Sequence, residues 1–575
     1  MTKKKSLVSA AVRLALAVTA AAVAGGVAAA EKWRDRWIFM ARAVVDDADV
    51  DFITNTVDRA AECGFNGMML AGMDNVGRWP EWRLSRLEAV RRFCAEKSVE
   101  IVPMVWSVGY GTMLDRDVNL AEGIEVASVP YVRRGAKAVF SPAGGTDLLR
   151  GDGSFERTVQ RGGKTLPAGW DAWDKVGTVV AVDENVSFAG GKSMRLSAFG
   201  VSDGGQARLL RSPLKLAPGR QYAVTGRVKV SEDFAPRSAF RVTVMQNGNC
   251  ISLTSVLGGA ATNGWVRFSV PLVLVEEGDV GLYVGTWEAK KGAAWVDEVK
   301  VEDLGLCGVL RRGGCPFTVK DAVSGKVYRE GRDYGEVSPV ESVRFPRNPK
   351  SLELSIPDGS AICEGTKLLV SGYVPVTVKN GLQCAACMSE RALYRHFADS
   401  AKGVKKILDP KTWFISMDEI RMGGTCAACR AKKTDMAHIL GECVTLQHAI
   451  IRRVSPQARI CIWGDMFNPA QNAKDRYYCC RGSFKGSWKL IPRDIVIVDW
   501  YGAKYSESLP FWRREGFNVI SATYYDAPFD QRAAKDIAAA AAYPNVQGAV
   551  YTTWRSDYSA LEKFAALLKG GSRGK

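Results

Sequence analysis

Trp413-Phe414-Ile415-Ser416-Met417-Asp418-Glu419-Ile420-Arg421 decides how the rest of this chain is read. Trp413–Ser416 are aromatic, β-branched or small, the make-up of a parallel strand buried on both faces. Two adjacent acids, Asp418 and Glu419, follow at once. At the carboxyl end of a strand in a β/α barrel, side chains turn into the mouth, whereas those within the strand pack the core. Two carboxylates placed there repel each other and lose solvent, so at least one pKa rises toward what a general acid requires at neutral pH. The simpler reading of the same residues has Asp418 capping the next helix and Glu419 pairing with Arg421.

Outward from this stretch, strand and helix alternate. Arg36–Val44, Gly67–Ala71 and Glu100–Ser107 read as strands, with helices at Phe52–Cys63 and Trp82–Lys97 between them. Helix Glu390–Leu408 precedes the Trp413 strand, and helix Thr434–Val454 follows it. Then come strands Ala458–Met466 and Asp494–Tyr501, helix Ser508–Glu515, strand Phe517–Thr523, helix Gln531–Ala542 and strand Gly548–Trp554. This βαβ spacing, with right-handed crossovers, predicts an α/β chain: a (β/α)8 TIM barrel interrupted after strand three.

The interruption has a different period. From about Leu148, short alternating strands recur roughly every ten residues, among them Ser193–Ala198, Gln221–Val230, Ala239–Gln246 and Trp265–Leu274, as in a β-sandwich. Gly305–Val376 is a second β-rich piece; its Lys367–Val376 run reads either as part of an excursion or as an additional barrel strand. The expected division is therefore a leader at 1–30, barrel at 31–147, sandwich at 148–304, a β-rich segment at 305–376, and barrel again at 377–575. In the sandwich, Gly153-Ser154-Phe155-Glu156, Pro167-Ala168-Gly169-Trp170, Gly190-Gly191-Lys192-Ser193 with Arg195-Leu196, and Trp295-Val296-Asp297-Glu298-Val299 resemble the carbohydrate-binding modules of families 4 and 9. The resemblance implies a jelly-roll scaffold with a structural calcium-type cation site, and either sugar binding or a purely structural role.

The chain has 575 residues, enough for two or three domains. Its 16 Trp suit both sugar stacking and core filling. The net charge of +17 is spread along the chain rather than massed in a tail, which reads as a solvated surface. No nucleic-acid motif accompanies it. Lys3–Lys5, the apolar Leu14–Val23 and Ala28-Ala29-Ala30 form a secretory signal, so export to the periplasm or outside is expected, with no transmembrane segment in the mature chain.

If the barrel closes, the residues at strand ends converge: Arg42, Trp106, Asp418, Glu419, Trp463, Asp465, Asp499, Trp500, Tyr525, Asp526 and Trp554. Carboxylates among Trp and Tyr suit an oligo- or polysaccharide, with indole walls and acids at the glycosidic oxygen. His396, His438 and His448 all fall in predicted helices, which disfavours histidine catalysis. In this light the barrel resembles the family 20 β-N-acetylhexosaminidases, which carry an Asp-Glu pair after the fourth strand. The resemblance implies a glycoside hydrolase, retaining by substrate assistance and needing no catalytic cofactor. Glu419 would be the general acid/base and Asp418 would orient the substrate's acetamido group. Arg42, Trp463, Trp500, Tyr525-Asp526 and Trp554 would line the sugar. The chain departs from that pattern in Ser416-Met417 ahead of the pair, in Arg555 after the last Trp, and in the lack of a second-strand His/Asp motif, for which Asp74 stands in. A two-carboxylate glycosidase, with Asp526 or Asp499 as nucleophile, and a non-catalytic glycan-binding surface protein are the alternatives.

Two Cys-Ala-Ala-Cys runs, Cys384–Cys387 and Cys426–Cys429, have the spacing of a four-thiolate structural zinc site. The long stretch between them and an oxidising compartment favour local or cross-paired disulfides instead, and neither run opens a helix as a thioredoxin-like redox role requires. Cys63, Cys94 and Cys461 read as buried thiols.

Overall fold

The computed structural model describes residues 32–257, 264–346, 348–378, 383–500, 502–523, 526 and 529–570. The leader read at 1–30 lies outside the described residues, as does Tyr525. Eight parallel strands close into a barrel. In order around the ring they are Asp35–Met40, Gly67–Leu70, Glu100–Val105, Thr412–Ile415, Arg459–Trp463, Val496–Asp499, Val519–Thr523 and Val546–Tyr551. The last pairs back onto the first, with Asp35 opposite Gly548.

These strands are mainly apolar because both faces are covered, with charged residues such as Asp35, Glu100, Arg459 and Asp499 at their ends. Alternate residues Trp37 and Phe39, Val102 and Met104, Phe414, Cys461 and Trp463, Val496 and Val498, Ile520 and Ala522, and Val550 fill the interior. Their neighbours in sequence, such as Ile38, Trp413, Ile415, Ile460, Ile462 and Ile497, face outward into the layer beneath the helices. That strict two-residue period sets which strand-end side chains can reach the mouth.

The expectation of an α/β chain with regular eightfold strand–helix alternation is corrected. The chain is mostly β, 32% strand against 26% helix, and several antiparallel sheets accompany the closed barrel. No α-helix separates the fifth barrel strand from the sixth. That connection holds the short 3-10 turns Asp465–Phe467 and Ser487–Lys489 and the two-residue strand Cys479–Cys480. Asn468-Pro469, Gly482, Gly486 and Pro492 break any helical run there.

The excursion after the third strand is nested. Gly123–Arg134 and Lys137–Phe140, expected to be barrel, instead join Val327–Tyr328, Thr318–Asp321, Lys367–Pro375 and Leu354–Ser355 in one six-stranded sheet. Lys367–Pro375 runs antiparallel to Gly123–Arg134, which removes it from the barrel count. Between the two halves of that sheet sits a sandwich of two five-stranded antiparallel sheets, its central strands Gln221–Val230 and Ala294–Asp303 on one side and Phe240–Gln246 and Val280–Thr286 on the other. Among the described residues no helix is long and apolar enough to cross a membrane.

Candidate functional site

The fourth strand ends at Ile415, and Phe414 points inward, so residue parity carries Asp418 toward the barrel axis. Glu419 then takes a left-handed backbone, φ +46°. A non-glycine in that region is strained, and such strain concentrates where geometry serves a site. The turn aims Glu419 at two partners. Arg421 Nη2 lies 2.6 Å from its Oε1, and the Tyr110 hydroxyl donates to its Oε2. The Glu419 N–H donates to Asp465 Oδ2 at 3.0 Å, and Gln383 Nε2 donates to the Glu419 carbonyl at 2.9 Å. Thus Glu419 pairs with Arg421 as the simpler reading had it, whereas Asp418 caps no helix: its Oδ1 accepts from Ser107 Oγ at 3.4 Å.

Burial, then the charges of Asp465 and Glu419, push the Asp418 carboxyl up to about 8, so it holds its proton at neutral pH. Burial also lifts Asp465 to about 6, while the Glu419 N–H, Asn472 Nδ2 at 2.7 Å and Trp500 Nε1 at 3.4 Å hold it partly back. Burial works against the charge on Arg421, and Glu419 more than restores it. The Tyr110 ring is 51% exposed, but local desolvation of its hydroxyl and then the charges of Glu419 and Asp418 push the phenol well above its ordinary value.

The aromatic floor of the mouth is Phe39, Phe414 and Trp463, with Trp463 6.4 Å from Phe39 and 4.9 Å from Phe414. Trp554 stands over it, 4.6 Å from Phe39 and 53% exposed. The Trp554 N–H and the Thr553 hydroxyl donate to Asp526, at 2.8 and 2.5 Å, which ties the seventh and eighth strand ends together.

Of the expected site residues, Glu419, Asp465 and Trp500 therefore form one hydrogen-bonded cluster with Asp418 beside it on Ser107, and Trp554 and Asp526 form another above Phe39. The remaining expectations are corrected. Trp463 is 2% exposed and belongs to the barrel core, below the mouth. Trp106 adopts φ +62° and turns outward, 5.0 Å from Phe397, its Nε1 donating to Ser400 Oγ at 3.0 Å. Asp499, one residue past the inward Val498, faces the helix Tyr505–Glu515 and accepts from Ser508 Oγ at 2.6 Å and Trp512 Nε1 at 3.0 Å. Arg42, on the outward parity of the first strand, is held by Asp49 at 2.6 Å. Asp74 accepts the N–H of Trp106 and is lifted to about 6 by burial, a bracing position rather than a sugar contact.

Sequence reasoning missed Tyr110. It rides the 3-10 turn Val108–Tyr110, which packs so closely that a Cβ on Gly109 would lie 2.6 Å from the Asp418 carbonyl oxygen. The one available signal was an aromatic between two glycines, Gly109 and Gly111, just past a strand end.

The cysteines divide. Cys387, Cys426 and Cys429 come together with Glu122, whereas Cys384 stands apart from that group. In the sandwich, Glu156 accepts from the N–H groups of Gly191 and Lys192, and Asp297 from those of Phe188, Ala189 and Glu298. Those carboxylates pin the turn at 188–192.

No family model matches the chain, and no curated protein matches it. Solved structures similar to it include the CBM22-1 xylan-binding domain of Paenibacillus barcinonensis Xyn10C, at 18% identity over 28% of this chain and 97% of that one, TM-score 0.22. A carbohydrate-binding module of family 4 is similar at 14% identity over 26% of this chain and 97% of that one, TM-score 0.20. A cyclase from Fischerella sp. TAU is similar at 15% identity over 24% of this chain and 84% of that one, TM-score 0.21.

Proposed function

We propose that this is a glycan-binding protein and that the carboxyl-terminal mouth of the barrel is its saccharide site. The observation that carries the reading is Trp554: a half-exposed indole braced on Phe39 above the barrel axis, at the same end as Asp418, Glu419 and Asp465. An indole face covers the C–H face of a sugar ring, while the partly exposed acids Asp418 and Glu419 exchange hydrogen bonds with hydroxyls, Glu419 being held in place by Arg421. Titration of the mature chain against a panel of neutral, acidic and N-acetylated oligosaccharides tests it. Binding that Trp554→Ala weakens about tenfold or more, the scale of a lost aromatic anchor, supports the reading; a panel without a binder, or binding indifferent to Trp554, removes it. The leader at 1–30 would deliver the protein to the periplasm or outside, where polysaccharides are met.

One observation favours a second reading, glycoside hydrolysis. Two neighbouring carboxyl groups stand in unlike surroundings: Asp418, desolvated and raised to about 8 with Ser107 as its hydrogen-bond partner, and Glu419, paired with Arg421 at 2.6 Å, the asymmetry that acid-assisted glycosidic cleavage uses. In this reading Asp418 protonates the leaving oxygen and Glu419 supports the anomeric carbon. That reverses the roles implied by the hexosaminidase resemblance, because an ion pair with a buried arginine favours the anionic form of Glu419. A screen of chromogenic glycosides decides it: Asp418→Asn is expected to cut turnover about 10²–10⁴-fold with binding retained. Inhibition by an acetamido-thiazoline would restore the substrate-assisted scheme. Binding without turnover on the whole panel would leave a lectin-like protein.

A further inference from the structure

Glu122, Cys387, Cys426 and Cys429 are buried, and their ligating atoms all lie within 4.8 Å of one another. Among the described residues theirs is the one such convergence of three or more His, Cys, Asp or Glu side chains. Cys387 Sγ is 3.4 Å from Cys426 Sγ and 3.6 Å from Cys429 Sγ, and Cys429 Sγ is 3.4 Å from Glu122 Oε2. A tetrahedral zinc ion with Zn–S of about 2.3 Å and Zn–O of about 2.0 Å has S···S edges of about 3.8 Å and S···O edges of about 3.5 Å. The spacing here is that of ligands around an ion. A disulfide brings two sulfurs to about 2.05 Å, and three thiols cannot all be paired.

We propose that Cys387, Cys426, Cys429 and Glu122 form a closed structural zinc centre, with Glu122 in the place the sequence pattern had reserved for Cys384. The surroundings are built for it. Glu122 Oε1 accepts from Thr425 N at 2.8 Å, Thr425 Oγ1 at 3.0 Å and Cys426 N at 2.9 Å, so the carboxylate is fixed with Oε2 turned to the sulfurs. Outer contacts of this kind orient the ligands of protein zinc sites. Three thiolates and a carboxylate outweigh the charge of one zinc ion, and a buried arginine answers the excess. Arg312 is placed by Glu390 at 2.8 Å and the Ala121 carbonyl at 2.6 Å. Its Nη2 is buried with no hydrogen-bond partner among the described residues, within electrostatic reach of Cys387, Cys426 and Glu122.

The position explains what such an ion does. Glu122 stands where the chain leaves the barrel for the six-stranded sheet, immediately before Gly123–Arg134. Cys387 stands where it returns, ahead of helix Arg391–Leu408. Cys426, which caps the short helix Ala427–Ala431, and Cys429, one turn on, belong to the segment that leaves Glu419 and Arg421. One ion would staple the exit, the return and the loop bearing the mouth's ion pair.

The test is metal analysis of the full-length mature chain purified under reducing conditions, together with cobalt(II) substitution. Close to one zinc per chain is expected, with thiolate-to-cobalt charge-transfer bands and tetrahedral visible absorption after exchange. Cys384→Ser and Cys315→Ser should keep both signals, whereas Cys387→Ser and Cys429→Ser should lose them. Glu122→Gln, which retains the Oε1 acceptor, should lower zinc affinity in chelator competition by tenfold or more. Should the cysteine variants fail to fold, the wild-type metal content and cobalt spectrum decide alone. Substoichiometric zinc with Cys387 crosslinked to Cys426 or Cys429 in peptide maps overturns the proposal. So does a cobalt spectrum unchanged in Glu122→Gln and abolished in Cys384→Ser.

Discussion

Arg421 folds back across two residues to set its Nη2 2.6 Å from Glu419 Oε1, with the arginine side chain 2% exposed and the glutamate 21%. The pair is closed on its other flank by Tyr110 on Glu419 and by Gln383, which accepts from Arg421 Nη1.

Removing the arginine leaves a largely desolvated carboxylate without its counter-charge. Arg421→Met is expected to destabilise the fold by about 2–3 kcal/mol, below the ~3–5 kcal/mol of a fully buried pair because Glu419 keeps some water. Urea unfolding at constant m-value measures it, and Arg421→Met combined with Glu419→Gln should recover part of the loss. A midpoint unmoved by Arg421→Met would mean that the contact carries no coupling.

Asp418 and Asp465 make a pH prediction whose sign follows from burial. Both folded pKa values, about 8 and about 6, lie above the ordinary aspartate value. The folded state therefore binds protons that the unfolded chain has released, and this contribution to stability is complete below about pH 4. It is lost as pH rises, from both groups toward 6 and from Asp418 alone between 6 and 8. Asp418→Asn should flatten the fall in melting temperature over pH 6–8. Parallel profiles for the two proteins would show that Asp418 is ionised throughout.

Gly109 is placed by contact rather than by its own conformation. An added methyl would lie 2.6 Å from the Asp418 oxygen and 3.0 Å from the Glu419 oxygen. Gly109→Ala is expected to cost about 1–3 kcal/mol, as overpacking does, and to draw Tyr110 off Glu419. The stability loss with a parallel loss of glycan affinity, read by calorimetry, checks it; an alanine variant that matches wild type in both would show that the turn yields freely.

Two tryptophans at strand ends should behave oppositely. Trp106→Ala empties a site packed against Phe397 and Trp413 and should destabilise by about 3–5 kcal/mol, with binding per folded molecule unchanged. Trp554→Ala removes a half-exposed ring and should change stability by no more than about 1 kcal/mol while weakening glycan binding. The reverse pattern would place the sugar behind the barrel.

Local patterning was enough to find the eight strands, the sandwich and the strand-end acids. A strand buried on both faces is mainly apolar, and a turn favours glycine and proline, whatever lies far away in the chain. The sequence itself already places no helix between the fifth and sixth strands, where Asn468-Pro469, Gly482 and Pro492 break any helical run. The period of two, counted from the inward Val498 and Val550, would likewise have placed Asp499 outside and Trp554 inside.

What strand parity could not supply was decided by long-range folding. The left-handed residues at Trp106 and Glu419 break the alternation, and nothing in their neighbours announces it. Tyr110 meets Glu419 across 309 positions, and Glu122 meets Cys429 across 307. The two sandwich sheets and the six-stranded sheet had to assemble before Gly123–Arg134 could be told from a barrel strand. A strand records in its own residues that both its faces are buried, but not which distant side chains will cover them, because that choice belongs to packing among segments that are strangers in sequence.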